Sequence, residues 1–106
     1  MEEAVRLFEK AIQANPRNTK ALNNLGLSKR KMGFINEAIK AYKRAIEVDP
    51  SFALAYKNLG IALEQNGDKQ GAVKAYQKYT ELNPSAPDMK AVKENMTRLM
   101  ASDTKQ

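Results

Sequence analysis

The sequence predicts an all-α fold built as an array of stacked helical repeats. Prolines recur at intervals of 34 residues, at Pro16, Pro50 and Pro84, and a fixed period of this length is typical of helical repeat proteins. Residues 19–52 and 53–86 are identical at twelve of their 34 aligned positions. Apolar residues recur at helical spacing, and no segment alternates between apolar and polar residues as a strand does. These observations predict paired helices and no sheet.

Each full repeat predicts two helices joined by a short turn. In the first repeat, Leu22 and Leu25 lie on one side of the first helix, and Gly33 marks its end. The second helix has one apolar face, formed by Ala38, Ile39, Tyr42, Ala45 and Ile46. Pro50 stops this helix because proline cannot continue it. The second repeat follows the same plan.

The ends and middles of these helices carry further signals. Asn18, Ser51 and Ser85 stand where N-cap residues are expected, since their side chains accept hydrogen bonds from free backbone N–H groups. Gly26 and Gly60 lie in mid-helix, where glycine costs about 1 kcal/mol relative to alanine. A cost repeated at one register predicts that another helix packs closely there.

The two ends of the chain differ from the full repeats. Residues 1–16 match the second helix of a repeat whose first helix is not in the sequence, so we expect a fragment of a longer array. The face that includes Phe8 and Ile12 would then lack cover, and we expect a second copy to cover it by self-association. Residues 87–101 predict an amphipathic helix that caps the array, and residues 102–106 predict a frayed tail.

Residues 1–86 resemble the tetratricopeptide repeat family. The pattern that carries the resemblance is Leu22, Leu25-Gly26, Ala38, Tyr42, Ala45 and Pro50, and again Tyr56, Leu59-Gly60, Ala72, Tyr76 and Pro84. The chain departs from the pattern at Lys29, Tyr79 and Thr80. The resemblance implies a right-handed superhelix of antiparallel helix pairs, here about six helices, with a C-terminal capping helix. The first helix of each pair would line a concave groove.

The same resemblance places a peptide-binding site along those first helices. Its predicted residues are Lys20, Asn23, Asn24, Leu27 and Lys31 in the first repeat, and Lys57, Asn58 and Ile61 in the second. Asn24 and Asn58 would hold the backbone amides of a peptide, because asparagine both donates and accepts hydrogen bonds. Such a column of asparagines is similar to the groove of the O-linked N-acetylglucosamine transferase superhelix. The alternative is that both side chains satisfy local backbone groups.

The other predicted site residues would select the type of peptide. Lys20, Lys31 and Lys57 would contact acidic groups, and the apolar side chains of the two repeats, Leu27 and Ile61, would contact apolar ones. Some family members bind acidic C-termini through a clamp of Lys, Asn and Arg on three repeats. The clamp is disfavoured here because the residues at its positions, Asn23 and Leu27 in one register and Leu54 and Asn58 in the other, do not match it.

The composition points to recognition rather than catalysis. The chain has no His and no Cys, which excludes imidazole bases, thiol nucleophiles and thiolate zinc sites. We therefore expect no enzyme activity, no cofactor and no metal site. The leading prediction is a protein-interaction module that binds a peptide segment of a partner. A structural scaffold and the recognition arm of a larger multidomain enzyme remain alternatives.

Charge and hydropathy narrow the class of partner. The net charge is +6, and residues 17–44 contain eight basic residues against one acidic residue. These basic residues either form an ordinary solvated surface or attract an acidic peptide. Nucleic acid is disfavoured because no aromatic residue is interleaved with the cations for base stacking. The absence of a membrane helix or signal peptide predicts a cytoplasmic protein with no membrane partner.

Overall fold

The protein consists of six helices in a computed structural model that describes residues 2–104, with side chains described up to residue 101. The helices are α1 (Glu2–Ala14), α2 (Thr19–Lys31), α3 (Ile35–Val48), α4 (Ala53–Gln65), α5 (Lys69–Leu82) and α6 (Met89–Thr104). Within the described range there is no strand. The predicted all-α class, its superhelix of antiparallel pairs and the capping helix are confirmed.

The predicted boundaries can be set beside the observed helices. Residues 1–16 contain α1, residues 19–52 contain α2 and α3, and residues 53–86 contain α4 and α5. The predicted cap, 87–101, was too short, because α6 continues through Thr104 into the segment expected to fray. The last two residues of that predicted tail lie outside the described range.

The helix termini follow local backbone chemistry. Asn18 caps α2, and its side-chain oxygen accepts a hydrogen bond from the Ala21 N–H at 3.1 Å. The prediction for Ser51 was wrong, since Phe52 precedes α4 and the Ser51 hydroxyl donates instead to Asp49 at 2.7 Å. Ser85 is likewise not a cap, because α6 begins only at Met89.

The two mid-helix glycines allow the helices of each repeat to pack against each other. A methyl group at Gly26 would lie 2.5 Å from the Tyr42 ring, and one at Gly60 would lie 2.6 Å from the Tyr76 ring. Both tyrosines are essentially inaccessible, with 0% and 1% exposure. Glycine is therefore required at this register because a large aromatic ring of the second helix lies directly on the first helix.

The core runs along the whole array. Five alanines of this core have no exposed surface, namely Ala38, Ala45, Ala55, Ala62 and Ala72. One cluster of buried residues joins the second helix of the first repeat to α6, with Val92 and Leu99 as the contribution of α6. The amphipathic cap thus closes the array with apolar side chains on its inner face. No helix in the described range is long and apolar enough to cross a membrane.

Candidate peptide-binding surface

The helices α2 and α4 form the inner side of the curved array. They contact each other, whereas α1, α3 and α5 make no contact among themselves within the described range. We use the term groove surface for the residues of α2 and α4 at the ligand-facing positions of the family pattern, whether exposed or buried. These residues are Lys20, Asn23, Asn24, Leu27, Arg30, Lys31, Leu54, Lys57, Asn58, Ile61 and Glu64. All eight predicted site residues belong to this set.

Two predicted asparagines on the groove surface bind each other. The Asn58 side-chain amide donates to the Asn23 side-chain oxygen at 3.0 Å, and both residues are buried, with 8% and 3% exposure. A buried amide pair of this kind satisfies polar groups that would otherwise cost about 1 to 3 kcal/mol each. Asn58 therefore joins α4 to α2 through Asn23, and this bond uses part of the hydrogen-bonding capacity of Asn58. The column of Asn24 and Asn58 that would hold the backbone of a peptide stays a prediction.

The remaining predicted residues of the first repeat line a partly open surface. Asn24 and Leu27 are half-buried, and Lys20 and Lys31 are exposed. In the second repeat, Ile61 at the register of Leu27 is half-buried, and Leu54 at the register of Lys20 is 47% exposed. The result is an apolar strip in which Leu27 and Ile61 are partly exposed and Leu54 is exposed at one end, with Lys20 and Lys31 on the same helix as Leu27.

Lys57 is engaged within the chain rather than free. Its ammonium group forms an ion pair with Asp88, which directly precedes α6, and lies 5.9 Å from the centre of the Tyr79 ring. The Tyr79 hydroxyl donates to the other carboxylate oxygen of Asp88 at 2.7 Å. The hydrogen bonds from Lys57 and then Tyr79 lower the pKa of Asp88. Burial first, and then the bond to Asp88, raises the pKa of Tyr79 to about 12.

A second polar cluster consists of three charged residues at the same position of successive 34-residue periods, one on each of three neighbouring helices. We call Arg30 on α2, Glu64 on α4 and Arg98 on α6 the charged row. The Tyr76 hydroxyl donates to Glu64 Oε1 at 3.0 Å, and Arg98 Nη2 donates to Glu64 Oε2 at 2.6 Å. Burial first, and then the Glu64 bond, raises the pKa of Tyr76. In the second repeat, one carboxylate is thus held between a tyrosine and an arginine.

The first repeat has the same register but a different outcome. Tyr42 matches Tyr76, and Arg30 stands where the second repeat has Glu64. Burial raises the pKa of Tyr42, and the neighbouring Arg30 guanidinium opposes that rise. The Tyr42 hydroxyl and Arg30 Nε are both buried, and the Arg30 side chain, at the register where the second repeat has Glu64, is the polar group that lies against this hydroxyl.

The sequence reasoning missed two of these polar clusters. Tyr79 was noted only as a departure from the family pattern, and that departure is the signal, because a large hydroxyl-bearing ring replaces a small residue. Glu64 and Arg98 lie 34 residues apart, but a search for identical residues overlooks them since their charges are complementary. A comparison of α6 with α4 at the 34-residue spacing that looks for opposite charges, rather than identical residues, would have found this pair.

The basic stretch 17–44 does not form one surface. Lys20 and Lys31 lie on the groove surface, whereas Lys40 and Arg44 of α3 line a depression between α1, α2 and α3 on the other side of the array. Lys29 also lines it and is held over the Phe34 ring at 5.4 Å and against Glu37 at 3.4 Å. Only part of the excess charge therefore faces the groove. In the described range no group of three His, Cys, Asp or Glu residues could hold a metal ion.

Comparison with solved structures shows the same fold in several proteins. The Yersinia enterocolitica type III secretion chaperone SycD, in complex with a peptide of the translocator YopD, is 19% identical with a TM-score of 0.89 over 96% of this chain and 81% of that one. The first repeat domain of Spaghetti (RPAP3), bound to the HSP90 peptide SRMEEVD, is 19% identical with a TM-score of 0.89 over 97% and 79%. The Sgt2 domain from Aspergillus fumigatus is 26% identical with a TM-score of 0.88 over 96% and 69%.

The sequence comparisons assign the chain to a family. No curated protein matches the sequence significantly. The family model described as tetratricopeptide repeat matches residues 23–87, which is more than half of the chain. This range contains the two glycines under tyrosine rings, the helix pairs and the turns that define the repeat. The chain belongs to the tetratricopeptide repeat family.

Proposed function

We propose that the chain is a non-catalytic protein-interaction module that holds a peptide segment of a partner on the groove surface. The observation that carries this proposal is the partly exposed apolar strip of Leu27, Ile61 and Leu54 on neighbouring helices. Apolar side chains at one register of adjacent repeats suit an extended or helical peptide with spaced apolar residues. The solved SycD and RPAP3 structures, which carry peptides on this fold, support the proposal.

The polar residues around the strip suggest which peptides it would favour. Lys20 and Lys31 are exposed and would attract acidic side chains, whereas Lys57 is already paired with Asp88. Asn24 is half-buried and has an amide able to contact a peptide backbone. Asn23 and Asn58 would shape the surface through their mutual hydrogen bond. We therefore propose Asn24, Leu27, Ile61, Lys20 and Lys31 as the direct contacts.

The test is selection of peptides from a random display library against the intact chain. We expect selected peptides to bind Leu27→Ala and Ile61→Ala about tenfold more weakly, and Asn24→Ala about threefold more weakly. Thermal unfolding of each variant is measured beside its affinity, because Ile61 also packs against the core. Asn36→Ala on the exposed surface of α3 is the matched asparagine control and should bind as the original chain does. Selected peptides that bind all four variants equally would refute the groove assignment. Asn58→Ala is unsuitable because it removes the partner of buried Asn23.

Self-association through α1 is a second candidate function with its own observation. Leu7 is 59% exposed, and Phe8 is half-buried although its counterparts Tyr42 and Tyr76 are 0% and 1% exposed. The apolar face of α1 is therefore less covered than the same face of α3 and α5. We propose that a second copy covers it at high concentration. Sedimentation should show a dimer that Leu7→Glu abolishes, whereas a monomer at millimolar concentration would exclude it.

A further inference from the structure

The depression between α1, α2 and α3 lies on the side of the array away from the groove surface, and we call it the outer cleft. Its volume is about 570 Å³, which is within the range of small-ligand sites in proteins. It exists because α1 and α3 do not contact each other, so that part of α2 is left open between them. Its floor is apolar and consists of Ile12, Leu22, Leu25 and Ala41.

The residues of α2 in the outer cleft differ from their counterparts in the second repeat. Leu22 and Lys29 line the cleft, and the residues 34 positions further on are Tyr56 and Leu63. Leu63 is buried in the core, and the Tyr56 ring packs against that core. In the first repeat a lysine therefore takes the place of a buried apolar side chain, and a leucine takes the place of a larger ring. Both exchanges leave less apolar volume on α2, which accounts for the room in the cleft.

The two walls of the outer cleft carry opposite charges. The wall on α1 has the exposed carboxylate of Glu9 and the exposed amide of Gln13, one helical turn apart. The wall on α3 has two exposed cations, Lys40 and Arg44, which are also one turn apart. Among the described residues, none of these three charged groups forms an ion pair.

The other two charges of the cleft neutralise each other. The Lys29 ammonium group lies 3.4 Å from a carboxylate oxygen of Glu37 and 5.4 Å from the centre of the Phe34 ring. This pair adds no net charge to the site. The charge that a ligand meets is therefore negative on the α1 wall and positive on the α3 wall.

We propose that the outer cleft binds a short apolar zwitterion, which is either a free apolar amino acid or an apolar dipeptide. The carboxylate of the ligand contacts Lys40 and Arg44, its ammonium group contacts Glu9, and its side chain covers Leu25 on the floor. A plain carboxylic acid would leave the Glu9 carboxylate without a partner, and a plain amine would face two cations. Only a ligand with both charges and an apolar body matches the whole cleft.

The exposure of the charged groups sets the strength of binding. Water and salt screen exposed charges, so we expect a dissociation constant on the order of 1 mM at low ionic strength. Salt at about 0.5 M should weaken binding about threefold for the same reason. The site uses no residue of the groove surface, so the inference does not depend on the proposed function.

The test titrates leucine and leucyl-leucine into the intact chain and follows the backbone amide resonances by two-dimensional NMR. We expect saturable shifts at the cleft residues Gln13 and Ala41, and no shift at Asn24 on the groove surface. Three analogues each lack one recognised group. N-acetyl-leucine has no ammonium group, leucinamide has no carboxylate and glycine has no apolar side chain, and each should bind about fivefold more weakly than leucine. The tighter of leucine and leucyl-leucine gives the length of the ligand.

Variants of the walls test the orientation of the ligand. Glu9→Gln and Arg44→Gln should each weaken leucine about three- to tenfold, because each removes one charged partner. Glu3→Gln and Lys43→Gln are the matched controls, since both residues are exposed on the same two helices and neither lines the cleft. Both controls should bind leucine as the original chain does.

Three results contradict the proposal. Shifts that rise linearly with concentration would show that there is no defined site. Equal affinity for leucine and N-acetyl-leucine would show that the ammonium group is not recognised. Weaker binding by Arg44→Gln with no change in Glu9→Gln would show a site for plain carboxylates, which overturns the zwitterion assignment.

Discussion

The first and second repeats share their packing and differ in their polar contacts. In both, a tyrosine ring lies on a mid-helix glycine, with a hypothetical methyl contact of 2.5 Å in one and 2.6 Å in the other. In the second repeat the hydroxyl of that ring has a carboxylate partner, and in the first it has none. The ring position is set by close packing, which tolerates little change. The polar residue opposite the ring is not fixed in this way, and it is Arg30 in the first repeat and Glu64 in the second.

The largest expected effect tests the feature that the repeats share. Gly26→Ala and Gly60→Ala should each lower the free energy of unfolding by about 2 kcal/mol, because the new methyl group overlaps a buried ring. The gain in helix propensity, about 1 kcal/mol, opposes this but is smaller than the cost of overpacking. Urea unfolding followed by circular dichroism measures both variants.

Gly71→Ala is the matched control for these two variants. Its methyl group would meet the side chain of Asp68, the exposed N-cap of α5, whose carboxylate accepts from the Gly71 N–H at 2.9 Å. The gain in helix propensity, about 1 kcal/mol, offsets the weakening of this cap. We expect a change within about 0.5 kcal/mol. If Gly26→Ala were as mild as Gly71→Ala, ring-on-glycine packing would not be what holds the helices of a repeat together.

The next effect tests the difference between the repeats. Tyr76→Phe removes a hydroxyl bonded to Glu64 and should lower the free energy of unfolding by about 1 kcal/mol. Tyr42→Phe removes a buried hydroxyl that has Arg30 as its neighbour but no carboxylate partner, so the loss should be smaller, within about 0.5 kcal/mol. The two variants delete the same atom at the same register, so each is the control of the other in urea unfolding. Equal losses would mean that Tyr42 has a partner of its own in solution.

The smallest effect concerns the junction between the second repeat and the cap. The pKa of Asp88 is lower in the folded chain, because of Lys57 and Tyr79, than in the unfolded chain, where it is about 3.9. This contribution to stability is therefore present above about pH 4 and lost as the pH falls through the lower folded value. Asp88→Asn should flatten the fall in unfolding free energy between about pH 4 and pH 2.

The control for the acid titration is a carboxylate elsewhere on the surface. Glu81 is exposed near the end of α5, and Glu81→Gln should leave the steepness of the acid limb as it is in the original chain. The measurement is urea unfolding at several values of pH. An Asp88→Asn chain with an unchanged acid limb would contradict a stabilising role of the Lys57–Asp88–Tyr79 cluster.

Much of the fold was predictable from residue spacing. The 34-residue period, the turn glycines and the apolar faces led to the helix pairs because these signals are local and repeat in phase. Gly33 and Gly67 illustrate this, since both have positive φ angles, 91° and 85°, just after the helices they terminate. Ser51 shows the limit. Its hydroxyl found a nearer acceptor in Asp49, and local competition of this kind is decided by geometry rather than by residue type.

The site was predictable only as a set of positions. The family pattern indicated the groove surface, but it could not indicate which polar side chains bind each other across repeats. Asn58 joined Asn23, and Lys57 joined Asp88. These partners lie 35 and 31 residues apart, so they meet only because the superhelix brings successive helices into contact.

The sequence alone therefore determined the repeat, its helices and the close packing at the mid-helix glycines, because all three depend on the size and spacing of residues that are close in the repeat. The tertiary structure decided which donors and acceptors pair with each other. A difference of a few tenths of an ångström in the donor–acceptor distance between two helices decides whether a hydrogen bond forms. By that criterion, Tyr76 has its partner in Glu64, while Tyr42 at the same register of the first repeat lies beside Arg30.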